Sequence, residues 1–272
     1  MKKNSTDTLY SFWSAALLIC LVLAVFAVIF ASVLGNGGSK TTTAAATPTP
    51  TAVVPVYTGP TEPASVSNAL PLTDDAGAAY VDTIYFLGDQ ALSALKADGM
   101  LTGTDANKQV WVPADGRLPL QGIDETLYHS PVTGNNAPPA DIALVNKPAV
   151  MLIFPSSDNA NMVSQDELLA AYGRLIGAIQ EQSPDTKIIL SSLTPIAASY
   201  QYEDLTNERI REINSWIAEA AANAGVGYLD AFSGLLNSQG YLSEEYHDGD
   251  SMHLNSAGMQ IWLDYVRTHA IA

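Results

Sequence analysis

An acid and an imidazole stand close together near the C-terminus of the chain. Asp250 and His253 are three residues apart in "DGDSMHLNSAG", directly before a stretch that predicts a final helix. A carboxylate at this spacing can accept the proton on one imidazole nitrogen, which leaves the other nitrogen to act as a base. His247 and Asp248 could add cation ligands, but the pattern is too sparse to indicate a metal site, and none is predicted. Most isolated Asp-x-x-His pairs only cap a helix or lie on the surface, so the pair needs support from the rest of the sequence.

Two other places have residues that could take part in chemistry. In "IYFLGDQALSAL" a strand-like run leads through Gly88-Asp89-Gln90 into a helical run. Such a turn usually presents a nucleophile, but histidine cannot activate the amide of Gln90, because its nitrogen lone pair is delocalised. The segment Pro155–Asn159 follows another apolar run, "AVMLIF". All three places are expected to lie at a strand end or just before a helix.

Alternating strands and helices must position these residues. Buried strands are predicted over Asp82–Gly88, Ala149–Phe154, Lys187–Ser191 and Val226–Leu229, and helices over Asp166–Gln182, Asp204–Asn223 and Ser256–Thr268. Strands separated by helices of this length predict a parallel sheet covered on both faces. Sites in such folds form beyond the carboxyl ends of the strands. The less regular segment Gly99–Pro139 is expected to lie over that edge.

The three places together resemble the sequence blocks of the SGNH (GDSL-type) hydrolases, in the form found in exported proteins of Gram-positive bacteria. "FLGDQ" is similar to the first block, Gly-Asp-Ser, except at its last position, and "DSMHLNSAG" is similar to the last block, Asp-x-x-His-Leu-Asn. "KQVWVPADGRLPL" and "SPDTKIILSSLTPIAASY" also look like segments of that subgroup. The resemblance runs from about Asp82 to the C-terminus.

The resemblance implies both a fold and a reaction. The fold would be α/β, a three-layer α/β/α sandwich with a central parallel, flavodoxin-like sheet. In the family, a serine attacks an ester carbonyl while a histidine removes the serine proton. The oxyanion is held by the amide of the serine, by a glycine amide and by an asparagine side chain. The usual substrates are acyl esters, often acetyl groups on cell-wall or capsular sugars.

This sequence departs from the family pattern at two positions. Gln90 stands where the family has its nucleophile, beside the expected catalytic pair His253 and Asp250. The block Gly-x-Asn reads Pro155–Ser157, so Ser157 takes the place of the asparagine donor. Gly116 is the expected match to the glycine donor, and the amide of Gln90 is the third oxyanion position. Both the nucleophile and one donor are therefore expected to be missing.

These departures predict a catalytically impaired relative of acyl and acetyl esterases, retained to bind a cell-envelope glycan or an acylated carbohydrate. One alternative is an active esterase or deacetylase that uses displaced groups such as Ser157 with His253; another is a structural ectodomain without a ligand. Ser93 is expected to face away from the Gln90 turn. Trp111 lies in the irregular segment and is a candidate for stacking on a sugar. No cofactor is predicted.

An apolar segment precedes the predicted domain. Phe12–Leu34 runs for 23 residues without a charge, and a membrane-spanning helix needs about 20. Lys2 and Lys3 precede it, so the positive-inside rule places residues 1–11 in the cytoplasm. The prediction is an uncleaved transmembrane helix over 12–34, with a cleaved signal peptide as the alternative. A Thr/Pro/Ala-rich linker over 35–79 and an extracellular domain over 80–272 follow. The protein would be a single-pass protein of the cell membrane.

Charge and cysteine content exclude several classes of partner and site. The formal net charge is −16, which repels nucleic acid, so no nucleic-acid partner is expected. The single cysteine, Cys20, falls inside the apolar segment. The sequence after that segment therefore has no disulfide and no thiolate metal ligand.

Overall fold

A computed structural model describes residues 69–202 and 204–272. The strands are β1 Ile84–Gly88, β2 Val110–Pro113, β3 Tyr128–His129, β4 Asn136–Ala137, β5 Val150–Phe154, β6 Lys187–Ser191 and β7 Gly227–Leu229. The helices are α1 Gly77–Val81, α2 Ser93–Ala97, α3 Ala106–Gln109, α4 Pro139–Asn146, α5 Gln165–Gln182, α6 Asn207–Ala224, α7 Ala231–Leu235 and α8 Ser256–Thr268. Short 3-10 turns cover Gln90–Leu92 and Ala160–Met162.

The described strands form one sheet in the order β4-β3-β2-β1-β5-β6-β7. Every pair among β2, β1, β5, β6 and β7 is parallel. The two-residue strands β3 and β4 extend the β2 edge in antiparallel direction. The predicted parallel sheet is therefore confirmed for its five main strands, with a short antiparallel edge that the sequence pattern did not indicate.

Alternate side chains of the strands face two separate layers of helices, because successive residues of a strand point to opposite faces. On one face, Leu87, Ile153 and Leu190 belong to a core that includes buried residues of α4, α5 and α6. On the other face, Phe86 and Leu152 pack in a core with buried residues of α1, α2, α7 and α8. This is the predicted three-layer α/β/α arrangement.

Side-chain caps explain where the long helices begin. Ser164 caps α5 with a capping box, in which its hydroxyl accepts from the Glu167 amide and the Glu167 carboxylate accepts from the Ser164 amide. Thr206 accepts from the Arg209 amide, so α6 starts at Asn207 and not at the predicted Asp204. These polar caps satisfy amides that have no partner inside the helix.

The segment predicted to lie over the sheet edge enters the sheet instead. Val110 and Trp111 of β2 align with Phe86 and Leu87 of β1 in a parallel pair. The apolar, β-branched composition of "VWVP" suits a buried strand, which is the physical reason that the prediction for this part was wrong. The turn that follows, from Pro113 to Arg117, reaches the carboxyl edge as predicted.

Residues 69–79, which the sequence analysis placed in the linker, pack on the domain. Leu70 donates its amide to the Tyr228 carbonyl at 2.8 Å, and Thr73 donates to the Thr268 carbonyl at 2.7 Å. The folded unit therefore begins before Tyr80. The predicted transmembrane segment 12–34 lies outside the described residues, and within residues 69–202 and 204–272 no helix has the length and apolarity to cross a membrane.

Candidate functional site

An open cavity of about 710 Å³, the site cavity, lies where the carboxyl ends of β1, β2 and β5 meet. Residues from the turn after β1, the start of α2 and the loops after β2, after β5 and before α8 line this cavity. Among them are Asp89, Gln90, Ser93, Asp115, Gly116, Arg117, Asp158, Asp248 and His253. Parallel strands end at the same edge of a sheet, which is why segments far apart in sequence meet here. The predicted catalytic turn and His253 of the predicted acid–imidazole pair therefore border one cavity.

The structure brings Asp250 and His253 into direct contact. The Nδ1 atom of His253 lies 2.6 Å from Oδ2 of Asp250. The other carboxylate oxygen of Asp250 accepts hydrogen bonds from the backbone amides of Met252 and His253, each at 2.9 Å. Burial alone would raise the pKa of Asp250, but the hydrogen bonds from His253 and Met252 hold that pKa below its ordinary value. Asp250 is thus an oriented acceptor for the imidazole.

The second nitrogen of His253 faces another carboxylate. Nε2 lies 3.6 Å from Oδ1 of Asp158, and Oδ2 of Asp158 lies 3.7 Å from Nε of Arg117. These residues form an alternating line of charges, Arg117–Asp158–His253–Asp250, which we call the charge row. The interaction with Asp158 is the largest cause of a raised pKa at His253, and the hydrogen bond with Asp250 adds to it. Together they raise this pKa to about 9, although burial alone would lower it. At neutral pH the ring is therefore an imidazolium and has no lone pair with which to accept a proton.

Asp158 is a site residue that the sequence analysis missed. The side chain is only partly exposed, and the pKa of its carboxyl is lowered mainly by the interaction with His253. A signal was present, because Asp158 follows the buried run of β5 and acids at that position reach the carboxyl edge. The segment Pro155–Asn159 was expected at this edge, but no function was predicted for the carboxylate of Asp158.

The turn after β1 leads through Asp89 directly into the 3-10 turn Gln90–Leu92. Asp89 is buried, at 4% exposure, and its carboxylate accepts from the Ala91 amide at 2.9 Å. Burial raises the pKa of Asp89 to about 6. Gln90 is exposed, and its Nε2 donates to Oγ of Ser93 at 3.1 Å. Ser93 therefore lines the site cavity beside Gln90, and the expectation that it faces away was wrong.

The backbone amides expected to hold an oxyanion are both engaged inside the protein. Gln90 donates its amide to the Gly116 carbonyl at 2.8 Å, and Gly116 donates its amide to the Pro113 carbonyl at 2.8 Å. Gly116 has a φ of +77°, the left-handed conformation that closes this turn. A hole for an oxyanion needs amides that point at the reacting oxygen, and these two point elsewhere.

Ser157, expected at the asparagine position, is closed off from solvent. Its side chain is 5% exposed, and its hydroxyl is buried without a hydrogen-bond partner among the described residues. Asn159, the nearest asparagine side chain after Ser157, adopts a left-handed φ of +54° and precedes the turn Ala160–Met162. It does not line the site cavity.

Trp111, expected to stack on a sugar, lies in the core. It is 6% exposed within β2, and its indole Nε1 donates to the Lys108 carbonyl at 2.7 Å. This burial leaves no open ring face for a carbohydrate, so the prediction for Trp111 is corrected to a packing role. Its strand register beside Leu87, which faces the same core, accounts for the burial.

The loop that carries Asp250 and His253 is held by a second histidine. The Nδ1 atom of His247 accepts from the amides of Gly249 and Ser251 at 3.0 Å and 3.1 Å, and its Nε2 lies 3.0 Å from the Glu244 carboxylate. Both ring nitrogens are thereby engaged. Over the described part of the chain, no group of three or more His, Cys, Asp or Glu residues is arranged to hold a metal ion.

Residues 121–261, more than half of the chain, match the GDSL-like lipase/acylhydrolase family. The matched range includes Ser157, Asp158, Asp250 and His253, but it begins after the Gln90 turn. No curated protein matches the chain.

Several solved structures are similar to the chain. A Streptococcus pneumonia protein named as a platelet activating factor is 19% identical, with a TM-score of 0.48, over 68% of this chain and 82% of that one. A Parabacteroides merdae protein named as a GDSL-like lipase is 14% identical, with a TM-score of 0.48, over 74% and 98%. The periplasmic domain of a lipopolysaccharide acetyltransferase from Salmonella ser. Paratyphi A is 19% identical, with a TM-score of 0.44, over 67% and 81%. At these identities the similarity concerns the fold alone.

Proposed function

The chain belongs to the GDSL-like lipase/acylhydrolase family, and from that premise we propose that it is a catalytically impaired member that binds a cell-envelope glycan. The observation that carries the proposal is the turn at Gln90. Its side chain is an amide at the nucleophile position, and its backbone N–H donates to the Gly116 carbonyl. Removing the nucleophile of a triad costs on the order of a million-fold in turnover.

The state of His253 supports the same proposal. Family chemistry needs an imidazole that is neutral at the nitrogen facing the nucleophile, so that this nitrogen can take a proton. Here that nitrogen faces Asp158, and the ring carries a positive charge at neutral pH because its pKa is raised to about 9. Even a serine at position 90 would meet a charged ring.

The character of the site cavity favours a carbohydrate as the ligand. Its volume of about 710 Å³ lies within the range of small-molecule sites and suits a short stretch of glycan. Carboxylates, amides and hydroxyls line it, and these groups match the hydroxyls of a sugar. The acidic surface, with a formal net charge of −16, disfavours polyanions.

The proposal also includes the cellular location of the domain, outside the cell membrane. The apolar segment 12–34 spans the cell membrane once, residues 1–11 lie in the cytoplasm, and the family domain faces outward. The full chain should then stay in the membrane fraction after carbonate washing and dissolve only in detergent. Protease added to intact cells should remove the domain, and a domain protected from that protease would contradict the proposed orientation.

Absence of ester hydrolysis is tested with the full chain in detergent micelles. Parent and His253→Ala protein are given p-nitrophenyl acetate and acetylated glycans at equal concentrations. We expect the two to release acetate at the same background rate, because the parent has neither a nucleophile nor a neutral base. Turnover in the parent that His253→Ala abolishes would refute the impaired site.

An active hydrolase that uses Ser157 is the second candidate. The observation in its favour is the Ser157 hydroxyl, which has no hydrogen-bond partner among the described residues. Its burial argues against it, because substrate must reach the attacking oxygen. An aryl fluorophosphonate separates the two candidates, since covalent labelling of Ser157 in the folded chain supports the hydrolase and no labelling removes it. A glycan array separates both from a structural ectodomain, which would bind no glycan.

A further inference from the structure

Asp158 and His253 face each other on the wall of the site cavity without forming a direct hydrogen bond. Oδ1 of Asp158 and Nε2 of His253 are 3.6 Å apart, which is within ion-pair range but too long for a direct hydrogen bond. Both residues line the cavity, and both are partly exposed. A polar contact of this length has room for a bridging group beside it.

The two facing atoms differ in their hydrogen-bonding capacity. An ionised carboxylate only accepts hydrogen bonds, and an imidazolium only donates them. A hydroxyl does both, so a ligand oxygen about 2.8 Å from each atom can donate to Asp158 and accept from His253. An ester carbonyl can only accept, and an ammonium group can only donate, so each satisfies one side of the pair.

We propose that the Asp158–His253 pair binds a free hydroxyl of the glycan and thereby selects the unacylated sugar over its O-acetylated form. The inference rests on the proposed glycan binding and deepens it. Ester hydrolases of the family act on the acylated sugar, whereas this pair fits the sugar after the acyl group has been removed. The same fold would then recognise the product of the reaction.

Neighbouring charged groups favour an ionised Asp158 and a protonated His253. Arg117 lies 3.7 Å from the far oxygen of Asp158, and Asp250 lies 2.6 Å from the far nitrogen of His253. Asp89, buried at the end of β1, adds a further carboxyl whose electrostatic interaction with His253 favours the charged ring. The acids that face His253 thus come from three elements, the turn after β1, the loop after β5 and the loop before α8.

Acetylation of the bound hydroxyl removes the O–H group that donates a hydrogen bond to Asp158. The carboxylate would then face ester oxygens, which can only accept hydrogen bonds. Sites built to bind a hydroxyl reject analogues that lack it by large factors when they are fully buried. Because the site cavity is open, we expect a smaller preference, of at least about tenfold in dissociation constant.

Paired glycans test the inference with the full chain in detergent. The probes are O-acetylated xylo-oligosaccharides and O-acetylated peptidoglycan fragments, each with its alkali-deacetylated counterpart. The deacetylated member should bind at least about tenfold more tightly to the parent. In Asp158→Ala the preference should fall to about twofold or less. The control Asp185→Asn removes the same charge in the exposed turn before β6, at the opposite edge of the sheet, and should keep the full preference.

A measurement on the unaltered chain guards against misfolding of the Asp158 variant. The chain has four histidines, so the ring resonances of His253 can be assigned with a His253→Gln variant. They should shift on addition of the deacetylated glycan and stay in place with the acetylated one. Equal or tighter binding of the acetylated member overturns the hydroxyl selection and leaves glycan binding standing. If neither the acetylated nor the deacetylated glycans bind, both the proposed function and this inference are contradicted.

Discussion

At the scale of single residues, the chemistry of the site depends on the ring of His253. Its Nδ1 contacts Asp250 as a triad histidine would, but its Nε2 faces Asp158 where a neutral base would face a nucleophile. Two carboxylates on one imidazole stabilise the charged ring, because an opposite charge within a few ångströms favours ionisation. The pair in the sequence motif is thus present, while its protonation state differs from that of a working base.

The charge row predicts that stability falls at alkaline pH. The pKa of His253 in the folded protein, about 9, exceeds the ordinary histidine value of 6.5. The stabilisation is therefore fully present below about pH 6.5 and is lost as pH rises through about 9. The shift corresponds to at most about 3 kcal/mol, and partial exposure should reduce it to about 1–2 kcal/mol.

Urea denaturation of the parent and of His253→Gln between pH 6 and pH 10 measures this effect. The difference in unfolding free energy between the two proteins should shrink from about pH 6.5 to about pH 9 and stay level above that, because in this range the native parent keeps a proton on His253 that its unfolded chain has lost. Lysine and tyrosine titrations are common to both proteins and cancel. A difference that stays constant over this range would show that the ring is not charged in the folded state.

Restoring a hydroxyl at position 90 tests the loss of the nucleophile. Gln90→Ser should fold, since the turn is set by Gly88, whose added Cβ would lie 2.5 Å from the Phe154 carbonyl, and by the Asp89 cap. We expect slight activity on p-nitrophenyl acetate that rises as pH passes through about 9, when His253 becomes neutral. Adding Ser157→Asn should raise turnover further, because one oxyanion donor is worth up to about 100- to 1,000-fold.

Matched thermal melts are the control for these variants, since Ser157 is buried and a larger side chain can strain the loop. If both variants melt with the parent and the double variant hydrolyses no small acetyl ester, the assignment of Gln90 or of Ser157 to its family position is wrong. An activity that is flat across pH 7 to 10 would count against the charged state of His253 instead.

At the scale of elements, the start of α8 holds the site loop in place. The side chain of Asn255 accepts from the Gly258 amide at 3.0 Å and donates to the carbonyls of Glu245 and His247 at 2.8 Å and 2.9 Å. One side chain thus caps the helix and closes the loop that carries His253. The Asn of the family block therefore has a structural function here that does not require catalysis.

Asn255→Ala should both destabilise the protein and disturb the site. Losing a helix cap costs about 1 kcal/mol, and losing the hydrogen bonds to the carbonyls of Glu245 and His247 adds to it, for about 1–3 kcal/mol in all. Glycan affinity should fall with it, because the loop before α8 loosens. The matched control is Ser164→Ala, which removes the α5 capping box at a comparable cost in stability and should leave glycan affinity unchanged. Equal affinity in both variants would contradict the role of Asn255 in positioning the loop.

At the scale of the whole molecule, the two cores on either side of the sheet hold its carboxyl edge rigid. Trp262 of α8 is fully buried and meets the rings of Phe86 and Phe154 edge-on, with centroid distances of 6.0 Å and 5.0 Å. These strand residues come from β1 and β5, whose ends carry the Gln90 turn and Asp158. Packing in this core therefore positions both sides of the site cavity.

Trp262→Ala should destabilise the fold by about 3–5 kcal/mol, because it opens a large cavity in a packed core. Trp262→Phe should be milder, since the indole nitrogen is buried without a partner among the described residues and its loss leaves no broken hydrogen bond. Trp216 of α6 is half-buried beneath the Arg209 guanidinium, and its replacement by alanine should cost less than that of Trp262. Chemical denaturation of the variants ranks the costs, and similar values for Trp216 and Trp262 would contradict this account of the core.

Local patterns in the sequence were enough to predict the layered fold and one contact in the site, that between Asp250 and His253. Hydrophobic runs and caps depend on neighbouring residues, so β1, β5, β6, β7, the Asn255 cap of α8 and the Asp250–His253 contact could be predicted from local sequence patterns. The glutamine at position 90, where the resemblance to the family predicts a serine nucleophile, is likewise visible in the sequence.

Only the tertiary structure decided what those residues face. Asp158 reaches His253 from a loop far away in the chain, and the Gly116 carbonyl reaches the Gln90 amide from the turn after β2. Trp111 became a core residue because its strand joined β1 in the sheet. Such contacts depend on strand order and register, which arise from the packing of the whole chain and leave no periodic trace in any one segment. The protonation state of His253 is therefore a property of the fold, because the carboxylate that sets it arrives only when β5 takes its place beside β1.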